Sequence, residues 1–431
     1  MTLADRCDVA IVGAGAAGLA TAIFAARRAS ERDIRCLDGA RKLGAKILVS
    51  GGGRCNITNV RVTPEDFWGT SRHSIRRVLS AFTERQTVEF FRELGVSLHE
   101  EQWGKLFPDS NSAKSVLGAL LNEAERAGVT LLPGHRVIDI RRTEPQGFEI
   151  EIHLAGEGGG AGSRKLLNAQ VVVLATGGMS LPKSGSDGLG YEFARGLGHS
   201  IVIPTPGLAP LVLKGDFHRP LSGVSHEVEI TVRVAGEKPL RIRGPMLWTH
   251  FGASGPAIMD VSRHWHRARL DGAEVGLSLN FLPGRDFESA ERELLDVVAS
   301  HPKTSISNAL SALVPSRLIA AIASTLGIAP QRVMGQLTRD DRRRIVHALL
   351  DWPLPVVDSR GYNYAEVTAG GVPLSEIDPG TMASRVCPGL FLVGEILDVD
   401  GRIGGFNFQW AWSSGFVAAD GIRRGWETTG R

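Results

Sequence analysis

Near the start of the chain, Gly13-Ala14-Gly15-Ala16-Ala17-Gly18 has the spacing G-x-G-x-x-G, and an acid, Asp38, stands 20 residues beyond Gly18. Between a strand and a helix, each glycine does a different job. Gly13 permits the tight turn, Gly15 lets the backbone approach a pyrophosphate, and Gly18 lets helix and strand pack closely. The free amides at the helix start, at Ala16 and Ala17, attract phosphate together with the helix dipole. Asp38 can accept hydrogen bonds from a ribose hydroxyl and disfavours a 2′-phosphate, so the unit suits FAD or NAD over NADP. The setting is present in order: residues 8–12 read as a buried strand, 19–28 as an alanine-rich helix, and "DIRCLD" as a second strand. A structural glycine turn in some other α/β protein is the bland alternative.

The downstream residues favour FAD. An NAD dehydrogenase would continue with another βαβ unit, but here "GARKLGAKILVSGGGRCNITN" follows the second strand. Its cations Arg41, Lys42, Lys46 and Arg54 can neutralise a pyrophosphate. Gly51, Gly52 and Gly53 allow close approach to a ring or phosphate. Ser50 and Asn56 complete the expected contacts of this loop. Cys55 raises the question of a nucleophile, a metal ligand or a small side chain near the flavin. No base is near it in sequence, and no metal partners stand at a usual spacing. The packing reading is preferred, with a redox role left open.

Two more stretches can converge on the same ligand. In "NAQVVVLATGG" a buried strand ends at Thr176-Gly177-Gly178. In "GLFLVGEILDVDGRIGGFNFQWAWSSG" a strand is followed by Gly394, Glu395 and Asp398, and Gly404-Gly405-Phe406-Asn407 then opens a helix. The amides at that helix start can stabilise charge on a reduced flavin ring.

Together these stretches resemble the BaiN-like flavoproteins, also called YhiN-like NAD(P)/FAD-dependent oxidoreductases, some of which are labelled the aminoacetone oxidase family. Further pieces of the resemblance are "PMLWTHFGASGPAIMDVS" and "AEVTAGGV". The resemblance implies non-covalent FAD, an FAD domain built by both chain ends, an inserted domain, and a backbone contact from Val137 to the adenine. Asp38 stands where Glu is commoner in the family. Ala45-Lys46 replaces the usual Arg-Lys pair, leaving Lys46 to carry the charge.

The elements that must position these residues follow an α/β plan. A Rossmann-like two-dinucleotide-binding FAD domain is expected over 1–200 and 356–431. A β-rich insert is expected over 201–285 and 345–355, carrying a helical subdomain over 286–344. Amphipathic helices are expected within 64–128. Between them, "GVSLHEEQWGKLFPDSNSA" could overhang a site, with His99 and Lys105 as candidate substrate contacts or, more plainly, solvated side chains. The insert "AGEGGGAGSRK" reads as a hairpin tip. The run 339–344 reads as a solvated helix start with internal charge pairing rather than a nucleic-acid site.

Composition excludes several classes. The 431 residues carry a net charge of +3, too little to imply nucleic-acid binding by itself. Four scattered cysteines, with no CxxC pair, argue against disulfides, a metal site or a disulfide reductase and fit a cytoplasmic protein. The apolar start is interrupted by patterned glycines, unlike a signal or membrane helix.

The expected function is FAD-dependent oxidation or reduction of a small molecule, with hydride passing near flavin N5. With no second G-x-G-x-x-G in context, NADH or NADPH would enter the open cavity directly. The sequence names no secure catalytic group. His250, in "THFGASGPA", is a candidate acid–base group or a buried loop-ordering histidine, and Cys55 is the other candidate. A flavin-dependent tRNA-modifying enzyme and a non-catalytic FAD-bound sensor are the alternatives.

Overall fold

The first strand, Arg6–Val12 (β1), buries Val9, Ala10 and Ile11 completely. A strand covered on both faces belongs in the middle of a parallel sheet. In the computed structural model, β1 pairs in parallel with Ile34–Asp38 (β2) and with the long strand Ser163–Leu174. The sheet also includes Thr130–Pro133 (β3), His135–Arg142 (β4), Phe148–Leu154 (β5) and Leu390–Leu392 (β7), with the long strand as β6. Its order is β3-β2-β1-β6-β5-β4, and β7 pairs in parallel with β6. The β6 strand has two roles. Its first half pairs antiparallel with β5, while its second half pairs in parallel with β1 and β7. The structure describes residues 5–144, 146–154 and 162–429, with side chains to residue 427. The expected hairpin tip falls largely on 155–161, outside the described residues.

The helix Ala16–Arg28 (α1) connects β1 to β2 and buries Ala17 through Ala26. Small residues let the helix Phe406–Thr429 lie directly on it. A Cβ at Gly415 would stand 3.0 Å from the Ala17 carbonyl oxygen, and the rings of Phe24 and Phe416 meet edge-on at 5.2 Å. Both chain ends thus build one unit, 1–205 with 366–431, and residues 206–365 form a second.

The basic segment departs from the expected open loop. After Gly44 (φ +67°), residues 45–49 turn helically. The good helix formers Ala45, Lys46 and Leu48 favour this turn, which the neighbouring glycines obscure in sequence. The helix breaks at Ser50 (ψ 148°), and Gly51, Gly52 and Gly53 follow at φ +54°, +69° and +84°. This left-handed run suits glycine.

The second unit holds a seven-stranded antiparallel sheet. Its central pair, Ser225–Val234 and Leu240–Thr249, shows the alternating burial of a sheet covered on one face. The helices of this unit pack on the sheet. Leu294, Leu318 and Ile345 share one apolar cluster with Val228, Ile230 and Leu279 of the sheet. The run at 339–344 starts the helix Arg339–Leu350, capped by Thr338, with Arg332 and Arg344 drawn to Asp341.

This unit also carries an acid-sensitive feature. On the helix Pro256–Leu270, burial pushes His264 down to about 3, reinforced by Arg263. Burial likewise lowers His266 to about 4, partly opposed by Asp358. Both stay neutral in the folded protein while the unfolded chain protonates them below its ordinary value of 6.5. The unfolded state then binds more protons, so stability falls as pH drops from about 6.5 toward 4, by up to roughly 2.7 kcal/mol per pH unit for the pair. Urea unfolding should show a lower midpoint at pH 5 than at pH 7, with the difference reduced in His264→Asn. Equal midpoints would exclude this origin of acid sensitivity.

Candidate functional site

The convergence of distant stretches is built from missing side chains. A Cβ on Gly13 (φ +106°) would lie 2.4 Å from the Ala175 carbonyl oxygen, so only glycine lets the β1 turn touch the end of β6. A Cβ on Gly178 would lie 2.4 Å from Thr368 Oγ1 and 2.9 Å from Glu395 Oε1. One on Gly394 would lie 2.7 Å from the Ala17 side chain. The three stretches singled out in the sequence therefore surround one region of the first unit, and "AEVTAGGV" joins them.

Gly15 behaves differently from its motif partners. Its φ of −80° is open to any residue, and a Cβ there would meet nothing within 4 Å. Nothing in the protein itself requires glycine at this position. The helix behind it has no side-chain cap, and its first intrahelical bond is Leu19 N to Gly15 O. The amides of Ala16, Ala17 and Gly18 precede that bond and have no intrahelical acceptor. Asp38 is fixed at the end of β2, where its carboxylate accepts from Ala14 N and Ala40 N, both at 2.8 Å. A Cβ on Gly52 would also meet open space. Val137 precedes a bulge in β4, where the pairing with β5 shifts between Val137 and Asp139.

These features fit FAD. Asp38 would hold a ribose hydroxyl, the α1 amides would hold the pyrophosphate, and the open glycines would leave room for the ligand. The amides of Phe406, Asn407 and Phe408, before the first intrahelical bond of Gln409 N to Gly405 O, would face the flavin.

A polar network ties the region together. Lys46 Nζ lies 2.5 Å from Glu395 Oε2 and 2.5 Å from Ser180 Oγ. Glu395 Oε1 accepts from Ser180 Oγ at 2.8 Å and from Thr368 N at 2.9 Å. Thr368 Oγ1 accepts from Met179 N (2.8 Å) and Ser180 N (3.1 Å). Ser180 and Thr368 were missed by sequence reasoning. The available signal was a hydroxyl beside each of two glycine pairs, Gly177-Gly178 and Gly370-Gly371.

Several of the expected cofactor contacts also make bonds within the protein. Arg54 forms a two-pronged pair with Glu101 (2.5 and 3.2 Å) and stacks over Phe107, so its charge is already matched. Lys46 is matched in the same way by Glu395. Asn56 donates to Thr58 O (2.9 Å) and Leu106 O (3.2 Å) and accepts from Gly405 N (3.1 Å), which clamps two loops. Gly405 itself is needed because a Cβ would stand 2.4 Å from the Thr58 carbonyl oxygen. Asn407 exchanges two hydrogen bonds with the Gly401 backbone, and the Phe406 ring is core. Gly394 gives its amide to Ser414 Oγ and its carbonyl to Trp410 Nε1. Ser50 Oγ turns back to the Ile47 carbonyl at 2.7 Å. Lys42 is exposed, Thr176 and Gly177 lie at the end of β6, and Asp398 is buried.

The two candidate catalytic groups differ in setting. Cys55 is fully buried at φ +64°, and burial pushes its thiol up to about 12, only partly countered by Ser50. A neutral thiol is a poor nucleophile, and the buried setting of Cys55 fits the packing reading. His250 is exposed beside the Phe251 ring and belongs to the second unit. His99 sits between Glu101 (3.6 Å) and Asp109 (3.2 Å), an arrangement that accounts for it on structural grounds. Among the described residues, no group of three or more His, Cys, Asp or Glu could hold a metal. No described helix is long and apolar enough to cross a membrane.

A family model described as HI0933-like protein Rossmann domain matches residues 7–421. The chain is 34% identical over 424 residues to the ribosomal RNA dihydrouridine synthase of Escherichia coli, covering 97% of this chain and 98% of that protein. It is 31% identical over 410 residues to the 3-dehydro-bile acid delta(4,6)-reductase of Clostridium scindens, covering 95% and 97%. Among solved structures, the E. coli quinol fumarate reductase subunit FrdA is similar in fold, with a TM-score of 0.51 at 17% identity, covering 99% of this chain and 71% of that one. A match spanning nearly every residue, together with relatives above 30% identity along their full length, means that the chain belongs to the HI0933-like family of Rossmann-fold flavoprotein oxidoreductases.

Proposed function

We propose that the protein is an FAD-dependent reductase that saturates a carbon–carbon double bond conjugated to a carbonyl, with uracil in ribosomal RNA as substrate and NADH or NADPH as electron donor. The observation that carries the cofactor assignment is Gly15, a glycine with ordinary backbone angles facing open space at the bare start of α1. The reaction class is supported by two relatives whose names differ but whose chemistry agrees. Making dihydrouridine and reducing a 3-keto-Δ4,6 steroid both add hydrogen across an activated C=C bond. The uracil reading rests on the 34% identity to the ribosomal RNA enzyme. A small-molecule enone is the second reading, favoured by the bile-acid relative at 31%.

The bound flavin would supply the hydride. The chain's own residues would bind and orient: Asp38 and the α1 amides on the ribose and pyrophosphate, and the start of helix Phe406–Thr429 toward the ring. The Lys46–Glu395–Ser180–Thr368 network would keep the surrounding segments in register. Rigid placement of this kind lowers the barrier by fixing the reacting groups near one another.

The test uses FAD-loaded protein, each reduced nicotinamide without oxygen, and either ribosomal RNA lacking dihydrouridine or a 3-keto-Δ4,6 steroid. Nucleoside mass spectrometry of the RNA should show a uridine heavier by two hydrogens. Steroid turnover without RNA turnover would replace the uracil reading by the enone reading. A flavin that neither nicotinamide bleaches would overturn the donor assignment and favour a sensor.

A further inference from the structure

Two stretches of the second unit, "THFGASGPA" and "DSRGYNY", meet in space. His250 and Phe251 form the turn between the strands Leu240–Thr249 and Gly252–Ser254, where Thr249 pairs with Gly252. The short strand Leu211–Leu213 pairs with Gly252–Ser254 on one side and with Val356–Ser359 on the other. Arg360 follows directly, its amide held on the Pro210 carbonyl at 2.9 Å. The chain then turns tightly. The amides of Tyr364 and Ala365 both donate to the Gly361 carbonyl, at 3.1 and 3.0 Å, which folds Tyr364 back onto Arg360.

The result is a ladder of flat groups. The Arg360 guanidinium carbon lies 3.7 Å from the centre of the Tyr364 ring and 4.6 Å from that of Phe251. The His250 ring stands edge-on to Phe251 at 5.1 Å. Tyr364 is 51% exposed, and His250 is exposed as well. Among the described residues, no acceptor takes a side-chain N–H of Arg360, and no partner engages the Tyr364 hydroxyl. Packing alone leaves both groups unexplained. A half-buried guanidinium ordinarily has an acceptor, and a ring this exposed buries little of its own surface.

We propose that Arg360, Tyr364, Phe251 and His250 form a stacking platform that holds an unpaired base of RNA and its adjoining phosphate. The proposal rests on the uracil reading given above and names how the RNA is gripped. A base supplies a π face for the exposed ring of Tyr364, and a phosphate supplies the oxygens that the Arg360 fork lacks. The stack already fixes the guanidinium, so little side-chain freedom is lost when the phosphate arrives. Bases inside a duplex have no free face, so the platform selects unpaired nucleotides. Enzymes that do chemistry on a base take it out of its stack, and a platform for unpaired nucleotides suits that need.

The test measures binding of a fluorescein-labelled, single-stranded oligouridylate of about 12 nucleotides by anisotropy, at several salt concentrations. The proteins are FAD-loaded wild type, Tyr364→Ala, Tyr364→Phe and Arg360→Met, each checked for an unchanged flavin spectrum. Affinity should fall by roughly 10-fold or more in Tyr364→Ala. It should be retained in Tyr364→Phe, which keeps the ring. Arg360→Met keeps the apolar stem, and its salt dependence should be shallower by about one ion. Wild-type affinity in Tyr364→Ala, or an equal loss in Tyr364→Phe, would overturn the platform. An unchanged salt slope in Arg360→Met would overturn the phosphate contact. Failure of the platform is separable from failure of the uracil reading. If the oligonucleotide binds through Tyr364 but ribosomal RNA is never converted, the uracil reading fails and the platform stands. If ribosomal RNA is converted and Tyr364→Ala leaves its KM unchanged, the platform fails and the uracil reading stands.

Discussion

Gly15→Val is expected to yield a folded protein that does not hold FAD, and Gly18→Ala one that is markedly destabilised. The two glycines are three residues apart in one motif, and only the surroundings of their missing side chains separate them. At Gly15 the backbone is ordinary and a Cβ meets nothing within 4 Å, so the fold loses little when valine is introduced. The branched side chain then fills the approach to the free α1 amides, where a phosphate must come within hydrogen-bond distance. At Gly18 a Cβ would lie 1.9 Å from the Gly13 carbonyl oxygen, a rigid backbone atom. The turn cannot move away without pushing Gly13 into Ala175, because a Cβ placed at Gly13 would itself lie only 2.4 Å from that carbonyl. Overpacking of this kind costs roughly 1–3 kcal/mol, and more where backbone must shift. Thermal melts of the FAD-free proteins should place Gly15→Val within a few degrees of wild type and Gly18→Ala well below it. Fluorescence titration with FAD should show at least a roughly 100-fold weaker affinity for Gly15→Val, equivalent to about 2.7 kcal/mol. Wild-type affinity in Gly15→Val would remove the assignment of this cradle to the cofactor.

The second large effect is expected at Gln409, in the second turn of the helix Phe406–Thr429. The side chain is 1% exposed and uses both ends. Its Oε1 accepts from Thr58 Oγ1 (2.7 Å) and Thr87 Oγ1 (2.9 Å), and its Nε2 donates to the Phe82 carbonyl (2.9 Å) and to Ser413 Oγ (3.0 Å). Gln409→Leu keeps the size but strands two buried hydroxyl donors on neighbouring segments. Each orphaned buried group costs about 1–3 kcal/mol. A combined loss of about 3–5 kcal/mol corresponds to a fall in Tm of roughly 10 °C for a unit of this size. Thr87→Val, which removes one partner of the same group, should cost less than half as much. A Gln409→Leu melt within 2 °C of wild type would show that the group is not a structural tie.

Local chemistry explains why some of this was legible in the sequence. The strand–turn–helix at 6–28 declares itself because every constraint on it acts within a few residues: the apolar run, the glycine spacing and the alanine helix. The alternation in Ser225–Val234 is legible for the same reason. The candidate site was legible as a set of glycines and less so as a set of side-chain roles. Glycine marks a close approach, but it does not say what approaches. Gly405 and Gly394 carry no side chain, and the space a Cβ would take belongs to Thr58 at one and to Ala17 at the other. Arg54, Asn56 and Asn407 carry the right groups for a ligand, yet each finds a protein partner. Those partners depend on pairings such as Lys46 with Glu395, 349 residues apart, which no local spacing encodes.

The shared ownership of the first unit has a consequence for the order in which the chain is made. Helix α1 rests on the helix Phe406–Thr429, and residues 206–365 must be synthesised between them. At about 5–20 residues per second, the apolar face of α1 waits on the order of ten seconds or more for its cover. The intervening unit has its own core and can complete itself during that interval. Nascent chains lacking residues 366–431 are therefore the stage at which this protein is most exposed to aggregation and most dependent on chaperones, and the flavin cradle becomes complete only after that stage has passed.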